Sequence, residues 1–96
     1  MIKPSVGRIV WFFDELRKPN DQPLAAMITH VFHDRCVNLA IFEANGNVRV
    51  DPPTSVQLLQ DDDEAPGLNW YFCQWMPFQT AQASKTSRGK NRAPKS

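Results

Sequence analysis

Thiol and imidazole chemistry have little to draw on in this chain. It holds two cysteines, Cys36 and Cys73, and two histidines, His30 and His33. The cysteines form no Cys-x-x-Cys pair, and with two histidines they are a thin set for a four-ligand zinc site. Two buried free thiols in a reducing cytoplasm are the expectation. No apolar run approaches the roughly 20 residues that cross a bilayer, so no membrane role is expected. The run from Ile9 to Phe13 is ended by Asp14 and Glu15, with no small-residue cleavage site after it, and does not read as a secretory signal. The last eighteen residues, 79–96, lack both acids and large apolar side chains.

That last absence divides the chain. Residues 79–96 carry five cations, Lys85, Arg88, Lys90, Arg92 and Lys95. Such a stretch buries too little apolar surface to offset the entropy of ordering, so a disordered basic tail is expected. Residues 1–78 are dense in Val, Ile, Leu, Phe and Trp and make one small domain. A domain of that size buries only roughly 60% of its unfolded surface, and self-association would add to its stability. The overall charge of +1 hides an asymmetry: six cations and ten acids in residues 1–78 give −4, and the tail gives +5. The balance argues against a nucleic-acid-binding body and leaves weak, salt-sensitive phosphate contact to the five tail cations. Opposite charge also allows the tail to attract the body.

The body is written in strands. Val6 to Phe13 is β-branched and aromatic, and the polar, proline-punctuated stretch 14–23 is a loop. Leu24 to Phe32 is a second strand, His33 to Cys36 a turn, and Val37 to Phe42 the returning strand with Val37, Leu39 and Ile41 on one face. Asn45-Gly46 predicts a tight hairpin turn, with Val48-Arg49-Val50 continuing it until Asp51-Pro52-Pro53. Val56 to Leu59 is a short extended piece, and residues 69–75 close the body as an aromatic strand. Five or six short strands predict an all-β fold, a small antiparallel SH3-like barrel, with Val10, Ile28, Leu39 and Ile41 in its core. The chain is short for an immunoglobulin-like sandwich.

Candidate chemistry is sparse. His30 and His33, beside Asp34 and Cys36, sit at an odd offset that turns strand side chains to opposite faces, so exposed turn histidines are expected rather than a metal site. A Cys/His nucleophile pair needs a third orienting group, and none is indicated. The acids of residues 61–64 lack the spaced oxygens and glycine of a calcium loop and read as solvated. No catalysis, metal or cofactor is expected. The aromatics carry more. Trp11 and Phe13 share one face of the first strand, Trp70 and Phe72 one face of the last, and Tyr71, Cys73 and Trp75 the other. Both faces of these strands are apolar although a barrel wall needs one apolar face, so Trp11, Trp70 and Trp75 are candidate partner-binding residues. Binding to a protein through this aromatic face and an exposed strand edge is the leading expectation. An accessory nucleic-acid binder using the tail is the alternative.

Four segments carry a family resemblance: Pro4-Ser5-Val6-Gly7-Arg8-Ile9-Val10, Ala25-Ala26-Met27-Ile28-Thr29-His30-Val31, Val37-Asn38-Leu39-Ala40-Ile41-Phe42, and Pro66-Gly67 leading to Trp70. In this order and spacing, over residues 4–75, the chain resembles small proteins encoded by tailed bacteriophages and prophages, most of which have no assigned function. The group often closes on a Trp-His-Trp-like run, where this chain has Trp70-Tyr71-Phe72-Cys73-Gln74-Trp75, so no role of that histidine carries over. The resemblance implies a phage structural or host protein as partner, and the host cytoplasm or the virion as location.

Overall fold

Alternation decides which side of each strand turns inward. In the computed structural model, which describes residues 1–61, 63–67 and 69–82, β1 (Ile9–Phe13) buries Val10 and Phe12 and leaves Ile9, Trp11 and Phe13 half-buried. β2 (Leu24–His33) buries Ala26 and Ile28, and β3 (Cys36–Ile41) buries Val37, Leu39 and Ile41. β4 (Val56–Leu59) and β5 (Phe72–Gln74) complete a closed barrel in the order β1-β2-β3-β4-β5, with β1 also paired to β5. All four expected core residues, Val10, Ile28, Leu39 and Ile41, lie inside, packed with Phe12, Val56, Leu58 and Cys73. Each such aliphatic or aromatic side chain contributes about 1.5–3 kcal/mol on burial.

The barrel departs from the antiparallel expectation at one seam. β4 and β5 run parallel, Leu58 opposite Cys73 and Leu59 opposite Gln74. Parallel neighbours need a crossover rather than a tight turn, and residues 60–71 supply it by returning along the barrel. Three further boundaries differ from the sequence reading. β5 is only three residues long, so Trp70 stands in a bend rather than alternating with Phe72. Val48-Arg49-Val50 makes a single bridge, Phe42 to Val48, instead of a strand, because Arg49 turns into an ion-pair cluster; Val48 and Val50 are 56% and 88% exposed. Residues 77–82 form a helical turn, so described structure runs past the expected boundary at residue 78. The Gln79 side chain holds that turn in place, accepting from Met76 N at 2.8 Å and donating to Ile9 O at 2.9 Å.

The chain reverses at Asn45-Gly46 as expected, but not through a primed turn with positive φ at both residues: only Gly46 is left-handed, and it closes a turn that starts at Glu43 as a glycine bulge. Gly46 N donates to Glu43 O, Glu43 N to Asn47 O, and Gly46 takes φ +93°, a value that glycine reaches without a Cβ clash. The expected free strand edge is absent among the described residues of β1 and β5, because closure pairs both strands on two sides. β2 does outrun β1, but its far half carries register shifts between Ile28 and His30 and between Val31 and His33. Such bulges twist an uncovered edge away from further pairing.

The two ends of the barrel are closed differently. At the end where β1 begins, Gln60 is 2% exposed and every polar atom of its amide is used. Its Oε1 accepts from Ile2 N and from Trp75 Nε1, and its Nε2 donates to Ile2 O and Asp34 O. At the end where β1 finishes, Arg49 lies 5.7 Å from the Phe12 ring centroid and joins Glu43 at 2.6 Å to Asp14 at 2.9 Å.

Candidate interaction surface

The outer face of β1 continues across its neighbours by register. Trp11 stands opposite Ala25 on β2 and Gln74 on β5, and Ile9 stands opposite Met27, which stands opposite Ala40. Phe42 N bonds Ala25 O, which places Phe42 and its bridge partner Val48 in the Trp11 row. None of these paired positions is charged. A sheet that faces water on one side ordinarily alternates apolar with polar residues, so an outer face that is uncharged and, Gln74 apart, apolar is the feature that demands a reason.

An aromatic row runs along the same face. The Trp11 ring meets Phe13 edge-on at 6.5 Å, and Phe13 stacks on Phe72 at 4.7 Å with planes 9° apart. Register explains the stack, since Phe13 and Phe72 are directly opposed across β1 and β5. Phe72 is thereby buried from outside the barrel wall, and Arg17 finishes the cover. The Arg17 guanidinium lies 4.9 Å from the Phe72 centroid and 5.9 Å from that of Phe13. Its Nη1 donates to Asp14 O at 2.8 Å and to Trp70 O at 2.6 Å, and its Nη2 to Gly67 O at 3.0 Å. One planar cation thus clasps the loop after β1 to the crossover before β5. Arginine suits this role because its five donors are fixed in a fork and its plane stacks on rings.

The three candidate tryptophans separate. Trp70 is 55% exposed, stacked on Tyr71 at 5.3 Å, with its carbonyl held by Arg17. Trp11 is half-buried in the outer row. Trp75 is 6% exposed and belongs to the core, with its indole N–H on Gln60 and Arg8 over its ring at 4.9 Å. The partner-binding expectation for Trp75 is therefore corrected: β5 ends at Gln74, and Trp75 turns in to fill the barrel end. The five cations proposed for nucleic acid, Lys85, Arg88, Lys90, Arg92 and Lys95, lie outside the described residues. His30 and His33 are engaged separately, His30 edge-on to Phe32 at 4.6 Å and His33 Nδ1 accepting from Arg35 N. Among the described residues no three His, Cys, Asp or Glu side chains are grouped to hold a metal ion, and no helix is long and apolar enough to cross a membrane.

Electrostatics reinforce the frame around this face. Burial alone would raise the Asp14 carboxyl, but hydrogen bonds from Arg49 and from Leu16 N overcome it and hold it below its ordinary 3.8. The hydrogen bond from Arg49 likewise lowers Glu43 below 4.5, and the two carboxylates together raise Arg49. No local spacing announces Arg17, since its partners on the crossover lie about fifty positions away.

What fold and surface define is a small closed β-barrel with an aromatic outer wall. No protein-family model, curated protein or solved structure matches the chain.

Proposed function

We infer that this protein is a non-catalytic interaction module that binds a protein partner through the outer face of β1 and the adjoining Trp70. The observation that carries this reading is the row Trp11–Phe13–Phe72–Arg17–Trp70, which ends in an indole that is exposed yet held from its carbonyl by Arg17. Rigid aromatic rings beside an arginine are the residue types that dominate binding energy in interfaces. A ring already fixed in place loses little entropy on binding. The phage-like resemblance suggests a virion component or a host protein as the partner.

Affinity capture from host and infected lysates, with the full chain as bait, tests this. Trp70→Ala and Trp11→Ala should lose the same bound protein, with affinity falling about thirtyfold for a 2 kcal/mol anchor. Unchanged capture by both variants, with unchanged circular dichroism, would overturn the reading.

A further inference from the structure

A groove opens at the end of the barrel that Gln60 closes, past the Trp11 end of the aromatic row. Its volume is about 850 Å³. Ile2, Leu59, Trp75 and Pro77 give it apolar walls, and Asp61 and Asp63 stand on its rim. Thr80 and Ala81 line it too, so the helical turn of residues 77–82 delivers the chain to the groove's edge.

We propose that this groove is the docking site of the chain's own basic segment, residues 83–96. Three observations converge on that occupant. The segment starts at the groove, where its attachment gives it an effective concentration in the millimolar range for a short linker. Its fourteen residues carry five cations, no acid and no side chain larger than lysine or arginine. Lysine and arginine lay aliphatic stems on apolar walls while their heads reach carboxylates, which is the composition of this groove. Finally, charge favours the return. Residues 1–78 carry −4. The two carboxylates that line the groove are paired, Asp61 with the Met1 amino group and Asp63 with Arg35; beside the groove, Asp34, whose carbonyl Gln60 holds, and Glu64, next to Asp63, make no ion pair with the described residues. The docked segment would supply those carboxylates with cations. The groove shares Gln74 with the Trp11 row but none of the rings Trp11, Phe13, Phe72 and Trp70, so its failure leaves the partner-binding reading intact.

The test uses the full chain. A nitroxide is attached at Ser96→Cys in a Cys36→Ser background, and amide signal loss is mapped by NMR. At low salt, signals of Asp61, Asp63, Thr80 and Ala81 should weaken. They should recover at 1 M salt, where the screening length is about 3 Å. The same label in a chain carrying Lys85→Glu, Arg88→Glu and Lys90→Glu gives the undocked baseline. Equal signal loss in the two chains at low salt overturns the proposal, and so does loss centred on Trp11 or Trp70. A second variant, Asp34→Asn with Glu64→Gln, leaves the Asp61 and Asp63 pairs in place. It should reduce the signal loss; an undiminished effect with native spectral dispersion counts against docking in this groove.

Discussion

The side chain of Gln60 pairs with the backbone of Ile2 as a neighbouring strand would: Gln60 Nε2 donates to Ile2 O at 2.8 Å, and Ile2 N donates to Gln60 Oε1 at 3.2 Å. One amide thus ties the start of the chain to the end of β4, 58 positions away, and its remaining capacity serves Trp75 and Asp34. Gln60→Leu keeps the bulk but strips these partners. A buried group left without a partner costs about 1–3 kcal/mol. Thermal denaturation should show a fall of roughly 4–8 °C per kcal/mol lost. A variant that melts with the wild type would contradict the network's role.

The tryptophans should answer differently to truncation. Trp75→Ala opens a cavity beside Gln60 and should cost about 3–5 kcal/mol. Trp70→Ala removes a largely exposed ring and should leave the midpoint close to wild type while weakening partner binding or self-association. Chemical denaturation of the two variants side by side checks the contrast.

Arg17→Lys keeps the charge and loses the fork. Lysine cannot hold the Asp14, Gly67 and Trp70 carbonyls at once or lie flat on Phe72. A loss of about 1–2 kcal/mol is expected. Faster amide exchange at residues 69–72 is the specific signature, because that crossover loses its anchor. Unaltered exchange there would show that the crossover is held by something else.

Acid should unfold the protein from a defined start. Asp14 and Glu43 are depressed in the folded state, so they bind protons more readily when unfolded. Their stabilisation is complete above their ordinary values of 3.8 and 4.5 and is lost as pH falls through the lower folded values. The midpoint should hold from pH 7 to about 5 and drop below that. Arg49→Gln should flatten the drop. It should not abolish it, since Asp63 stays depressed by its hydrogen bond from Arg35.

Cysteine modification should split two ways. Burial pushes the Cys73 thiol up to about 12, whereas Cys36 is only half-buried on the outer side of β3. At pH 8 a maleimide should label one thiol in the native protein and both in denaturant, with mass spectrometry of peptides placing the first at Cys36.

Local chemistry made much of the fold readable in advance. The alternation Val37, Leu39, Ile41 and the Asn45-Gly46 signal act over a few residues, so the strand, its inward face and the place of the chain reversal could be read from spacing alone, although the returning strand shrinks to one bridge. The surplus of aromatics on both faces of the first strand also pointed to an outer row before any contact was known. The parallel β4–β5 seam was not readable, because a crossover and a hairpin return differ only in how residues 60–71 travel. Trp70 and Trp75 look alike in sequence, yet one is exposed and the other fills the barrel end. Gln60, a partner 15 positions from Trp75, accepts the hydrogen of its indole. Arg17 belongs to the same class, since the carbonyls it binds on the crossover come from 50 and 53 positions along the chain. Short-range sterics and hydrophobic alternation settled the strands from the sequence. Which polar groups meet in a water-poor interior, and so which rings stay outside, was decided only when the barrel closed.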